Sequence, residues 1–180
     1  MEELFEKAKD GDENAFEKIV NRLKQELYVI AMSRLMNETL AEEAIQDTII
    51  SLYENIYKIR DSSKVKNWCI IVLINKCKKI RKSQKIREIS YEEIECEKFL
   101  YSNDEFKKII DKLSFFQLIE ELDDKDKLII TLYYSSNLTT KEISSILNIN
   151  ESTIRSKISR IKKEIKGRLG DKFNGKRWIW

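Results

Sequence analysis

Apolar residues recur every three or four positions along most of this chain, and the polar breaks between them mark helix ends. Residues 2–9 predict a short helix ending at Asp10-Gly11. Asp12 then caps a long helix from about Glu13 to Leu35, with Ala15, Phe16, Ile19, Val20, Leu23, Leu27, Ile30 and Ala31 on its buried face. Asn37 breaks that helix. Thr39 with Glu42 reads as a capping box opening a third helix to about Tyr57, with Leu40, Ala44, Ile45, Ile49 and Leu52 inward. Residues 58–64 are polar and without period, which predicts a loop. The fourth helix, about Val65–Lys85, opens on Trp68, Ile71, Val72 and Ile74 and ends in a basic run. The spacing of Trp68 with Ile71 and Val72 predicts a core position for that indole.

From about Glu88 to Phe106 the pattern decays into an acidic stretch, YEEIECEKFLYSNDE, that reads as a linker over 88–106. A second small domain over 107–170 follows. It holds one helix to Leu122, a break at Asp123-Asp124, and a helix from about Asp126 to Ser135. Thr139 and Glu142 form another capping box, ahead of a short helix with Ile143, Ile146 and Leu147 on one face. Asn148-Ile149-Asn150 interrupts it, and Asn150 caps a longer helix whose apolar positions are Ile154, Ile158, Ile161 and Ile165. The opposite face carries Ser152, Arg155, Ser156, Ser159, Arg160, Lys162 and Lys163. A short helix, a tight turn and a longer basic helix form a helix-turn-helix, the geometry that lays a helix in a major groove. Small hydroxyls at Ser152, Thr153, Ser156 and Ser159 leave room for a base edge and for the arginines to reach past them. Residues 171–180 form a tail, for which an exposed peptide is the default.

The fold class is therefore all-α: two small helical domains joined by an acidic linker, the C-terminal one a helix-turn-helix. The chain has 180 residues, no proline and only 4 glycines, and few alternating runs suggest strands. No apolar run approaches the ~20 residues of a membrane span. The acidic start, Met1-Glu2-Glu3, lacks the basic and apolar parts of a signal peptide, so a cytoplasmic protein without membrane insertion is expected. Cys69, Cys77 and Cys96 have no CxxC spacing and read as reduced thiols, two of them on one helix. Without histidine there is no Ser-His or Cys-His pair, and no glycine-rich phosphate loop exists. Neither catalysis nor a metal or other cofactor is expected.

Charge changes the picture only when the chain is cut into segments. The total is +3, but residues 1–63 carry −6, 64–87 carry +9 with no acid at all, 88–139 carry −7 and 140–180 carry +7. Two basic segments separated by an acidic one suggest two contacts with a polyanion.

These segments together resemble a bacterial RNA polymerase sigma factor of the extracytoplasmic-function type, which has the family's second and fourth conserved regions. AKDGDENAFEKIVNRL looks like the family's opening helix, AEEAIQDTIISLY its polymerase-binding helix and NWCIIVLINKCKKIRK its promoter-melting helix. LIEELDDKDKLIITLYYSSNLTTKEISSILNINESTIRSKISRIKKEI is similar to its C-terminal region. Cys69 departs from the family's usual leucine, and Ser159 from a larger side chain in several members.

The resemblance implies a region 2 over 1–87 and a region 4 over 107–170, with roles for particular residues. Glu43, Gln46 and Asp47 would bind core RNA polymerase through charged hydrogen bonds to arginines. Arg60, Asp61, Ser62, Ser63 and Lys64 would line a pocket for an extracted base of the downstream (−10) promoter element. Asn75, Lys76, Lys79, Arg81 and Lys82 would hold its backbone. Ser152, Thr153, Arg155, Ser156, Ser159, Arg160 and Lys163 would meet promoter DNA at the upstream (−35) element. Lys157, Lys162, Lys163 and Lys166 read as phosphate neutralisers or solvated charges. The resemblance also implies an anti-sigma factor as a partner. The function expected is a dissociable sigma factor directing promoter-specific transcription initiation. Two other readings stay open: a stand-alone helix-turn-helix regulator that dimerises on an inverted repeat, and a helical adaptor that binds protein only.

Overall fold

Short polar side chains set most of the helix starts. Asp12 accepts a hydrogen bond from the Ala15 amide at 3.0 Å and caps α2 (Glu13–Leu35), directly after α1 (Glu2–Lys9). The structure, a computed structural model, describes residues 2–87 and 115–169. The linker over 88–106, the start of the second domain at 107, Cys96 and the tail over 171–180 lie outside the described residues. The chain divides into two compact units, one over residues 2–83 and another holding residues 115–144 and 149–169. Among the described residues all regular structure is helical.

In the N-terminal unit α2 packs against α1 and against α3 (Glu38–Asn55). Ala15, Ile19, Leu23, Leu27, Ile30 and Ala31 are buried as the spacing required, and Val29 and Ser33 join them. Phe16 and Val20 are only half-buried. The start of α3 differs from the expected Thr39–Glu42 box. Met36 takes a left-handed conformation (φ 50°) and Asn37 becomes the cap, its side chain accepting from the Leu40 amide at 3.0 Å. Ala41, Ala44, Ile45, Thr48 and Leu52 form the buried face of α3, while Leu40 and Ile49 sit at its margin. The helix start thus moves by two residues, and the apolar positions that pack follow the neighbours present rather than the apolar count.

A 3-10 turn, Ile56–Lys58, replaces the end expected of α3, and a second, Ser62–Lys64, lies in the segment expected as a loop. They lead into α4 (Val65–Arg87). Its core face is Val65, Cys69, Ile70, Leu73, Ile74 and Cys77. The Trp68–Ile71–Val72 stripe is a correction: Trp68 and Val72 are half-buried and Ile71 is 41% exposed. Residues 68–74 are nearly all apolar, so the period there is degenerate and packing alone selects the inward face. Each fully buried Ile or Leu contributes roughly 1.5–3 kcal/mol of transfer free energy.

In the C-terminal unit residues 115–119 are helical and bury Phe115 and Ile119. Asp123 caps α5 (Asp124–Tyr134), accepting from the amides of Lys125 and Asp126 at 2.9 and 2.8 Å. Then α6 (Thr140–Leu147) and α7 (Glu151–Leu169) form the helix-turn-helix, with α5 packed on α7. The Thr139–Glu142 box is closed in both directions: the Thr139 amide donates to Glu142 at 2.8 Å, and the Glu142 amide to Thr139 Oγ1 at 3.2 Å. Asn148 turns the chain at φ 53°, and the Ser144 hydroxyl donates to the Ile149 carbonyl at 2.6 Å. Ile154, Ile158, Ile161 and Ile165 are all buried.

Candidate nucleic-acid and protein interfaces

On α3, Glu43 and Gln46 are exposed, and Asp47 is half-buried one turn along the same face. Asp47 accepts from Lys76 Nζ at 3.2 Å, so a residue expected to meet polymerase is paired with one expected to meet DNA. The same outward face continues into Ile50 and Tyr53, 55% and 60% exposed, which lie outside the apolar stripe expected for this helix. Tyr53 packs edge-on against Phe16 with ring centroids 5.2 Å apart. A count of apolar residues outside the four-and-three spacing is the only signal that could have found this patch.

The segment before α4 is a tight, self-bonded turn. Asp61 accepts from the Ser63 hydroxyl at 2.6 Å and the Ser63 amide at 2.9 Å, and these bonds hold its carboxyl below the ordinary aspartate range. Lys64 reaches Asp61 at 3.8 Å. Arg60, Ser63 and Lys64 are exposed and Ser62 half-buried. Tyr57, 62% exposed with Lys58 Nζ 5.2 Å from its ring centroid, stands just before them. Along α4, Asn75, Lys79 and Lys82 are exposed, whereas Lys76 and Arg81 are half-buried. Lys66 pairs across to Glu26 at 2.8 Å. Cys69 and Cys77 lie inside, and burial pushes their thiols up to about 12 and about 11.

On α7 the structure brings Arg155, Ser156, Ser159, Arg160 and Lys163 around one open concavity. Ser152 and Thr153 are exposed at the helix start, where the Ser152 hydroxyl and amide both donate to Asn150 Oδ1, at 2.8 and 2.9 Å. Arg155 donates to Glu151 at 2.7 Å. That bond, with a second from the Thr140 hydroxyl, lowers the Glu151 pKa. Arg160 and Lys157 both reach Asp126 of α5. Asp126 is 2% exposed, a burial that its place at the expected start of a helix does not signal. Lys162 lies 4.7 Å from the Tyr133 ring centroid, half-buried rather than on the solvated face expected for it. Among the described residues no group of three or more Cys, Asp or Glu could hold a metal ion, and no helix is long and apolar enough to cross a membrane.

Residues 19–86 match the family described as Sigma-70 region 2, and residues 112–165 the family described as Sigma-70, region 4. The chain is 27% identical to the ECF RNA polymerase sigma factor SigW of Bacillus subtilis, over 95% of this chain and 97% of that one. It is 29% identical to SigM of the same organism (83% and 92%), and 25% identical to the sigma-E factor of Escherichia coli (92% and 92%). Among solved structures it resembles the sigma factor RpoE of Bartonella quintana, in complex with the anti-sigma factor NepR. There the TM-score is 0.67 at 20% identity, with 87% of this chain and 97% of that one covered. With both regions present in order, over more than half of its length, the chain belongs to the sigma-70 family of RNA polymerase sigma factors and is of the extracytoplasmic-function type.

Proposed function

We infer that this chain works as a dissociable sigma subunit, which binds core RNA polymerase and directs promoter-specific transcription initiation without catalysing bond chemistry itself. The observation that carries this reading is the pairing, in one chain, of region 2 and region 4, each ending in its own basic helix. Core polymerase docks on the outward face of α3, with Glu43, Gln46 and Asp47 as polar contacts and Ile50 and Tyr53 as an apolar extension. Polar groups beside a small exposed apolar patch are the composition of an interface rim and core.

The N-terminal unit engages the −10 element. Lys79 and Lys82, with Asn75, Lys76 and Arg81, grip the backbone. The turn over Arg60–Lys64 receives a base once the strands part. Extraction costs a few kcal/mol, and a turn already folded loses little further freedom when it receives the base. The C-terminal unit places α7 in the major groove at the −35 element, with Ser152, Thr153, Arg155, Ser156, Ser159, Arg160 and Lys163 facing DNA. Work in the cytoplasm follows from these partners. An anti-sigma factor partner is supported by the complex in which one similar fold occurs, the sigma factor RpoE with the anti-sigma factor NepR.

Purified protein added to core polymerase and a promoter library tests this reading. New transcription start sites, absent with core alone, are expected. Binding to an inverted repeat without polymerase, and no new start sites with it, would make the chain a stand-alone regulator instead.

A further inference from the structure

We propose that Asp126 is a positioning residue for promoter recognition: from inside the C-terminal unit it fixes Arg160 as a pre-oriented reader on α7. This rests on the reading above that α7 meets the −35 element. Both oxygens of this buried carboxylate are used, Oδ1 by Lys157 and Oδ2 by Arg160 Nη2. The two cations are not equivalent. The Lys157 side chain is only 25% exposed and is absorbed by the pair, whereas that of Arg160 is 61% exposed. One branch of its planar five-donor fork is held from below, and the guanidinium still lines the concavity with Ser156 and Ser159.

Arg155 makes the contrast. Its acid, Glu151, lies four residues back on the same helix and is 32% exposed against 3% for Asp126, so solvent screens this pair more and holds its arginine less firmly. Asp126 belongs to another helix, 34 residues away, and cannot follow Arg160 when it moves. Immobilising a rotamer-rich side chain opposes binding, and an arginine already held loses less freedom on DNA. A guanidinium in a fixed plane also discriminates bases better than one that swings.

Charge and position predict opposite outcomes. Asp126→Asn removes a negative charge from beneath the DNA face, so electrostatics alone tightens binding to every sequence and steepens the salt dependence. A purely structural role weakens every sequence together. Positioning instead lowers discrimination at one base pair while general affinity holds or rises.

The test uses the full chain with core polymerase and duplex promoters carrying single-base changes around the −35 sequence that the unaltered protein selects from a randomised pool. Asp126→Asn is expected to reduce discrimination about ten-fold at the base pair where Arg160→Ala reduces it, and the double variant should lose no more than Arg160→Ala. Unchanged discrimination in folded Asp126→Asn, or an equal loss at every position, overturns the proposal. If Asp126→Asn melts below the assay temperature, Asp126→Glu decides. It keeps the buried charge but displaces the carboxylate by one methylene, so discrimination lost at that base pair alone supports the proposal, and unchanged discrimination in the folded variant overturns it. Absence of any −35 preference in the unaltered protein removes the proposed function of α7 together with this inference.

Discussion

The Lys76 ammonium lies 3.2 Å from the Asp47 carboxylate, an ion pair that joins α4 to α3. The side chains are 32% and 50% exposed, so solvent screens the pair and it contributes at most about 1 kcal/mol to stability. Its larger consequence is functional: the proposed polymerase face and the proposed −10 face share one charge pair.

Replacing Glu43, Gln46 and Asp47 together with alanine should therefore weaken association with core polymerase while unfolding in urea shifts by no more than about 1 kcal/mol. None of the three is on the buried face of α3. The single variant Asp47→Ala should also release Lys76 and raise affinity for −10 DNA at low salt. Pull-down with core polymerase and single-strand binding, measured on the same folded variants, separate the two effects. An unchanged pull-down of the triple variant would take this face out of the mechanism.

Arg155 and Lys163 should differ in kind. Arg155→Ala is expected to lose ~1–3 kcal/mol on the preferred −35 sequence and to relax the choice of one base pair. The change also takes from Glu151 the guanidinium it accepts from at 2.7 Å, leaving the Thr140 hydroxyl bond and a less screened negative charge near the DNA. Lys163→Ala should weaken all sequences about equally and lower the salt slope by ~1. Competition binding against single-base variants at several salt concentrations distinguishes these outcomes. A uniform loss for Arg155→Ala would mean that it only grips phosphate.

Cys69 and Cys77 should report unfolding rather than redox state. Burial lifts their thiols to about 12 and about 11, so at pH 8 both are protonated and shielded, and the thiolate is the reactive form. In a Cys96→Ser variant, iodoacetamide should label neither cysteine until denaturant opens the N-terminal unit. Rapid labelling at pH 8 in the absence of denaturant would contradict the packing of α4.

Asp123 should give the C-terminal unit an acid-side dependence. The Asp126 amide, and then the nearby Lys157 and Arg160, hold its carboxyl below the ordinary aspartate range. A lowered folded-state pKa means stability that is present above the unfolded value and lost as pH falls through the folded one. Asp123→Asn should retain the cap and flatten that dependence, while Asp123→Ala should lose about 1 kcal/mol at neutral pH. Thermal melts between pH 2 and 7 measure both. An identical acid profile for Asp123→Asn would assign the loss to other carboxylates.

The sequence by itself determined what depends on a few neighbouring residues. Asp12, Asn150 and the Thr139–Glu142 box cap helices where their spacing said, because a capping bond closes over two or three residues. Ile154, Ile158, Ile161 and Ile165 formed a buried line because a strict four-three-four pattern admits one inward face. The order of motifs carried the family. The concavity on α7 draws on residues already visible as its outward face.

Only the tertiary structure decided between local options of similar energy, and paired charges far apart in the chain. Asn37 and Thr39 could each cap α3, and the left-handed turn at Met36 selected Asn37. Residues 68–74 offered several inward faces, and contact with the rest of the N-terminal unit chose Cys69, Ile70, Leu73 and Ile74, leaving Trp68 half-buried. Asp126 looked like another acid in a first helical turn. Its burial beneath Lys157 and Arg160 depends on how α5 meets α7, which no local pattern encodes. A buried charge needs a partner, and which cation supplies it is a property of the packed helices rather than of the residues beside it.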